Sequence, residues 1–372
     1  MEHQEDIGNM VTLYEKVYGC LAASRIGSAM GAAVEGWTPE GLHKTRGYVD
    51  RVQQVYGYVD RLLPYTHYAN RGIDWKRMPG TTEDGIERQK LMTQAIIDKQ
   101  DRITAEDLYR TVVERADLDK MWYMTQPEDL QVIRLMQCGV PGIEAGRLSG
   151  WSDLNFNRAT QPIGLINACD PDGAVRDVLD IGRLFYAPTD RALIWAGVYD
   201  AAIAEACKPD ATLDSVAATA LRYASEDWMK RELERAVEIA GQFDDPMAMR
   251  EEFYKYYNGI GIPYAAAHSN ETVCKGLAVF LNVKGDAKQA MIVGTNFGRD
   301  TDCLAATAGG LAGAFSGIGT VPEEWVQQVD EATMANPYTN IQCTIQEHAD
   351  GLYSALQNRV QKMRVLADLL DE

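Results

Sequence analysis

Apolar positions recur at intervals of three and four along most of the chain, the period of a helix with one buried face. The pattern predicts helices over about 8–34, 83–99, 104–116, 127–138, 173–186, 190–206, 213–223, 226–241, 246–257, 271–281, 286–294, 302–317, 322–332 and 343–370. Two starts carry capping signals: Thr104 with Asp107 three residues on, and Pro322 followed by Glu323 and Glu324. Segments alternating with period two are scarce, and no strand–glycine–helix unit for a dinucleotide is present. Two stretches break the helical pattern. Residues 38–80 are rich in Tyr and repeat "GYVDR" at 47–51 and 57–61; residues 139–172 are rich in turn formers. Loops of that length inside a compact domain are often functional. No low-complexity linker divides the chain, so a single domain over 1–372 is expected.

Two predicted helices carry almost no side chain along one face. Gly19, Ala23, Gly27 and Gly31 recur every four residues, and the next step lands on Glu35. Ala305, Gly309, Gly313 and Gly317 repeat the device after Asp300 and Asp302. Residues four apart share a helix face, so two such ridges let backbones approach closely. Antiparallel packing of the two would bring Glu35 to Asp300 and Asp302. The second ladder lies in an uncharged run from Cys303 to Val321, long enough to raise a membrane span. Its Ala, Gly, Ser and Thr gain little from lipid, so close helix packing is the expected use and no membrane partner is expected.

Composition narrows the partners. The 372 residues hold 54 acidic and 36 basic side chains, a net charge of −18. That field repels phosphate, which argues against nucleic acid and anionic membranes. Seven scattered cysteines, an odd number with no C-x-x-C pair, suit a reduced intracellular protein. The acidic, polar N-terminus is unlike a secretory signal, so a cytoplasmic location is expected.

A third acidic cluster lies in "PGTTEDGIERQKLM". Pro79-Gly80 makes a turn, Thr81 or Thr82 can cap a helix, and Glu83 and Asp84 fall in its first turn. Acids at helix starts commonly just complement free N–H groups and the dipole. Taken together, Glu35, Glu83, Asp84, Asp300 and Asp302, with Thr82, form an all-oxygen set. Hard oxygen donors suit Mg²⁺, Mn²⁺ or Ca²⁺ and not zinc.

The segments "GSAMGAAVEG", "TTEDG" and "NFGRDTDCLAATAGGLAGA" resemble, in order and separation, the three signature regions of the ADP-ribosylglycohydrolases. Between them "TQPIGLINACDPDGAVRDVLDIGRLF" is similar to the family's Pro-x-Gly stretch, and the resemblance spans roughly 12–320. It implies an all-α fold, a compact orthogonal multi-helix bundle, with two neighbouring divalent ions, usually Mg²⁺, Mn²⁺ being an alternative. By the same resemblance Thr82, Glu83, Asp84, Asp300, Asp302 and Cys303 stand at metal-ligand positions. Glu35, Glu83 and Asp84 stand as the catalytic carboxylates. The implied reaction is cleavage of a ribosyl glycosidic bond by carboxylate- and metal-activated water. Asn155, Arg158, Asn296, Gly298 and Arg299 are the candidate substrate contacts.

The chain departs from the family at informative points. Glu83 replaces the usual Asp, which moves the ligating oxygen by about one bond length. Cys303 replaces the usual Thr, and a thiol is a poor Mg²⁺ ligand, so one ion site is expected to be altered. The Gly-rich loop and arginine that precede Pro-x-Gly in the family are represented only by "SDLNFNRATQPIG", and Thr189-Asp190 stands where a Thr-His pair is usual. The substrate expected is therefore an ADP-ribosylated group or a smaller riboside or nucleoside-like molecule. The competing expectation is a crystallin-like or nucleotide-sensing protein that keeps the fold without turnover. The row Leu352, Leu356, Val360 can pack on the core or on another subunit, which leaves an oligomer open.

Overall fold

The computed structural model of the chain describes residues 11–35, 57–64, 77–121, 125, 127–150, 153–188, 190–257 and 268–370. Among these the regular structure is helical: α1 (Leu13–Ala32), α2 (Asp84–Lys99), α3 (Ala105–Arg115), α4 (Leu118–Met121), α5 (Pro127–Gln137), α6 (Gly142–Arg147), α7 (Asn157–Ile166), α8 (Pro171–Ile181), α9 (Arg191–Ala206), α10 (Leu213–Tyr223), α11 (Asp227–Gln242), α12 (Pro246–Phe253), α13 (Ser269–Asn282), α14 (Ala287–Asn296), α15 (Thr301–Ser316), α16 (Glu323–Ala335) and α17 (Ile345–Leu370). Extended pairing among the described residues is confined to an isolated bridge, Leu154 with His268. The all-α fold expected from the pattern is the fold observed.

At the centre, α1 and α15 run antiparallel in backbone contact. Gly19 lies against Gly313 and Gly317, Ala23 against Gly309, Gly27 against Ala305, and Gly31 against Thr301. A Cβ added at Gly19 would stand 2.6 Å from the Gly317 carbonyl carbon, so the ladder has no room for side chains. Thr301 closes the last rung by donating its hydroxyl to the Gly31 carbonyl at 2.8 Å. Both helices are buried along nearly their whole length. The uncharged run is thus core, and no helix among the described residues is long and apolar enough to cross a membrane.

Neighbouring elements fix this pair. Lys16 donates to the Ala206 and Lys208 carbonyls at 2.7 and 2.8 Å, satisfying the C-terminal end of α9. Helix α2 docks on α1 through Gln89, which donates to Ser24 Oγ at 3.1 Å and accepts from Arg25 Nε at 3.1 Å. Of the row Leu352, Leu356, Val360, the first two are buried in the core and Val360 is half-buried. The exposed end of α17 carries Met363, Val365, Leu366, Leu369 and Leu370.

Residues 139–172 correct the irregular reading, since α6, α7 and the start of α8 lie there. Helix α7 is buried at all ten of its residues, the polar Asn157, Arg158, Thr160 and Gln161 included, and it lies in a stretch whose turn formers hid it. It also contains Pro162, which cannot donate to the Arg158 carbonyl four residues back. Gln89 Nε2 supplies that missing donor at 3.2 Å. At the other end Arg359 of α17 donates to the Ile166 carbonyl and, at 2.9 Å, to Asn167 Oδ1. The expected Thr104–Asp107 capping box is present. The expected Thr81 or Thr82 cap is not: Thr81 donates to the Met78 carbonyl at 2.8 Å, and Glu83 occupies the cap position.

Candidate functional site

Four element ends meet at one edge of the α1–α15 pair. The chain leaving α1 brings Glu35, and the start of α2 brings Thr82, Glu83 and Asp84. The start of α15 brings Asp300, Asp302 and Cys303, and α7 with the segment before it brings Arg158 and Asn155. All are buried except Glu35, which is half-buried. Ligand atoms of Glu83, Asp84 and Asp302 lie within 4.8 Å of one another, and so do those of Asp300, Asp302 and Cys303. Either group could hold a metal ion.

The acids at cap positions do not serve as helix caps. Neither Glu83 nor Asp300 makes a side-chain capping bond, although each occupies the N-cap position of its helix. Glu83 is held instead by Arg77 at 2.9 Å, and its backbone N–H donates to Ser28 Oγ at 3.4 Å. Asn155 donates to Asp300 Oδ2 at 3.2 Å. Arg158 lies inside the cluster, paired through Nη2 with Asp84 Oδ1 at 2.7 Å and through Nη1 with Asp302 Oδ2. One oxygen of Asp302, Oδ1, is buried with no hydrogen-bond partner.

The electrostatics show what such crowding costs. Burial pushes Glu35 well above the ordinary carboxylate range, with Asp302, Asp300 and Glu83 adding to the push. Burial does the same to Glu83, reinforced by Asp84 and Asp302. It also raises Asp300, reinforced by Asp302. Asp302 goes the other way: burial acts to raise it, yet the Arg158 guanidinium and a bond from Asp300 hold it below its usual value. Burial also drives the Cys303 thiol well up, so in this setting it is a neutral SH group. Among the described residues, five converging carboxylates face the guanidinium groups of Arg158 and Arg77. Crowding that pushes three carboxyls toward their neutral form, together with an unsatisfied carboxylate oxygen, fits a site that a bound cation would complete.

The expected substrate contacts divide. Asn155 and Arg158 are in the cluster. Asn296 is spent on the segment 57–64: its Oδ1 accepts from the Val59 N–H at 3.0 Å, and its Nδ2 donates to the Val59 carbonyl at 2.7 Å. Arg299 is clamped on Glu271 at 2.5 and 2.9 Å, and Lys275 joins the same carboxylate at 2.5 Å. Gly298 and Arg299 both take positive φ, 81° and 64°, in the turn that delivers Asp300. Of the tyrosines near the site, Tyr254 donates to the Phe297 carbonyl at 2.7 Å and Tyr257 to Glu232 at 2.8 Å, while Tyr58 of the Tyr-rich stretch is exposed. Tyr56, Tyr65, Tyr68 and Thr189 lie outside the described residues.

Sequence reasoning missed Arg77, Ser28, Gly85 and Glu271. Ser28 had a signal, since it adjoins Gly27 of the ladder and so faces the same helix end. Arg77, six residues before Glu83, and Gly85, next to Asp84, lay beside or within the quoted acidic segment, whereas Glu271 had no signal because its pairing with Arg299 is distant in sequence.

The comparisons with known proteins come to the same place. The family model described as ADP-ribosylglycohydrolase matches residues 9–362. A relative from Archaeoglobus fulgidus, described as an uncharacterized protein, is 23% identical over 324 residues, covering 84% of this chain and 91% of its own. A solved structure titled ADP-ribosylglycohydrolase-related protein complex is similar in fold, with a TM-score of 0.61 at 16% identity, covering 93% of this chain and 98% of its own. With its three acidic segments gathered at one helix crossing and the family model matching nearly its whole length, the chain belongs to the ADP-ribosylglycohydrolase family.

Proposed function

We propose that the protein is a cation-dependent glycosidase that cleaves a ribosyl bond, in an ADP-ribosylated group or a smaller riboside or nucleoside-like molecule. The observation that carries this reading is the unsatisfied Asp302 Oδ1 inside a buried carboxylate cluster. Asp300 and Asp302, with Thr82, Glu83 and Asp84 opposite, are the residues that would hold Mg²⁺ or Mn²⁺. When bound, such an ion orients the ribose hydroxyls and lowers the pKa of water.

The chain's own groups supply the rest. Breaking the glycosidic bond builds positive charge at the anomeric carbon, which the surrounding carboxylates stabilise. Glu35 adjoins Asp300, Asp302 and Glu83 and, unlike them, is only half-buried. It is the residue assigned to accept the proton of attacking water, a role in which the charge of a bound cation would return its carboxyl to the ionised form. Arg77 fixes Glu83, and Asn155 fixes Asp300, so neither carboxylate has to reorganise during the reaction. The Gly298–Arg299 turn and Asn155 line the approach to Asp300 and form the substrate-facing wall of this reading.

A second reading, a ribosyl- or nucleotide-binding sensor without turnover, draws on Arg158, which already neutralises part of the cluster. One experiment separates the two. The purified chain is incubated with Mg²⁺ and a panel of ADP-ribosylated peptides, nucleosides and simple ribosides, and released product is read by mass spectrometry. Product from at least one class is expected. Asp300→Ala and Asp84→Ala should each lower its rate by about 100-fold or more with an unchanged helical spectrum. Binding of a panel member without any product would establish the sensor reading, and full activity in both variants would move the site elsewhere.

A further inference from the structure

We propose that the Arg158 guanidinium is a built-in cation that takes the place of one of the family's two divalent ions. The cluster then binds a single ion, on its Asp300–Asp302 side. The inference rests on the site assignment above and not on which bond is cleaved there.

Arg158 occupies the donor group formed by Glu83, Asp84 and Asp302. Its two terminal nitrogens pair with Asp84 Oδ1 and Asp302 Oδ2, so the guanidinium already takes one oxygen from each of two of this group's three carboxylates. A guanidinium presents a planar fork to two carboxylates and keeps its charge when buried. Its backbone is fixed as well, because Gln89 donates to the Arg158 carbonyl that Pro162 leaves without a helical partner.

Gly85 is the second, independent sign. It lies in the first turn of α2 with no positive φ, so its backbone does not require glycine. Glycine in a helix costs about 1 kcal/mol relative to alanine. Yet a Cβ at Gly85 would fall onto Nε, Cζ and Nη2 of Arg158. The missing side chain is the space the guanidinium fills. Asp302 is shared with the second donor group, formed with Asp300 and Cys303, and its other oxygen, Oδ1, is buried without a hydrogen-bond partner. One donor group is therefore closed by Arg158, and the other keeps an oxygen unspent.

The test is the number of ions bound. The full chain, stripped with a chelator, is titrated with Mn²⁺ and followed by calorimetry and native mass spectrometry. The wild type should bind one ion per chain. Arg158→Ala should open the second position and bind two. Gly85→Ala, whose Cβ would force the guanidinium to shift from its present place, should do the same and serves if the first variant does not fold. Arg158→Lys, which keeps a positive charge in the pocket, should remain at one. Two ions or none in the wild type, or a folded Arg158→Ala or Gly85→Ala protein that stays at one, would overturn the proposal. Two ions together with ribosyl cleavage would sink this inference and leave the glycosidase reading standing. One ion with no cleavage of any ribosyl substrate would do the reverse.

Discussion

Cys303 stands one residue past Asp302, buried, with its sulfur in reach of the Asp300 and Asp302 oxygens. A neutral thiol at that point is a weak donor for a hard ion. Replacing it with an oxygen should therefore strengthen the remaining ion site without adding another. Cys303→Thr is expected to tighten Mg²⁺ binding by roughly tenfold, read by calorimetry. Weaker binding would count against the oxygen-donor account. A different single residue sets a pH response. His348 is buried with Nδ1 2.5 Å from Arg25 Nη2, so Nδ1 accepts and Nε2 carries the proton. Burial, then the charges of Arg25 and Lys90, hold its pKa well below the usual 6.5. The folded state keeps His348 neutral, whereas the unfolded chain takes up a proton below that value. Its contribution is complete above about pH 6.5 and is lost as pH falls, by up to about 1.4 kcal/mol per unit. Denaturant unfolding at about pH 7 and about pH 5.5 should show a smaller loss in His348→Gln than in the wild type, the site carboxylates titrating alike in both. Equal losses would remove His348 from the explanation.

At the scale of elements, the α1–α15 ladder was the most legible feature in the sequence. Small residues four apart on two helices pointed to close backbone packing, and the structure supplies the antiparallel direction that the sequence left as a condition. Helix α7 was illegible. It lies in a stretch rich in turn formers, Pro162 and Gly164 among them, and the bond that Pro162 cannot make is replaced by Gln89, far away in sequence. Arg158 was visible as a basic residue, but its place between Asp84 and Asp302 depends on where α7 lies. The acids misled in a smaller way, since Glu83 and Asp300 sit at cap positions without capping. The ladder also makes a stability prediction. Alanine for glycine normally favours a helix by about 1 kcal/mol. At Gly27 the new Cβ meets the Ala305 backbone, which cannot swing aside as a side chain can. Overpacking of about 1–3 kcal/mol or more should win. Gly27→Ala is expected to lower Tm by about 3 °C or more, and a rise in Tm would show that the two backbones are free to separate.

Over the whole molecule, 54 acidic residues against 36 basic ones give a negative field, and the site concentrates it where four element ends converge. That field favours cations over anions at long range, so an anionic substrate must be met by local donors or by the ion itself. The core is continuous around the crossing, from Val17 and Cys20 of α1 through Ile163 of α7 to Leu352 of α17. The site is therefore carried on rigid packing. Its acids were legible because chemistry placed them in short motifs; Arg158 was legible as a candidate substrate contact, but its pairing with Asp84 and Asp302 was not, because three-dimensional proximity creates it.

The most direct test of the central claim, that this carboxylate cluster is a cation-dependent ribosyl hydrolase site, is product release before and after metal removal. Wild-type protein is assayed on its best ribosyl substrate as purified, after exhaustive chelation, and after Mg²⁺ or Mn²⁺ is restored. The account predicts that release stops on chelation and returns with the cation, and that Asp302→Ala stays silent throughout. Release that continues undiminished in chelator, or that persists in Asp302→Ala, would contradict it.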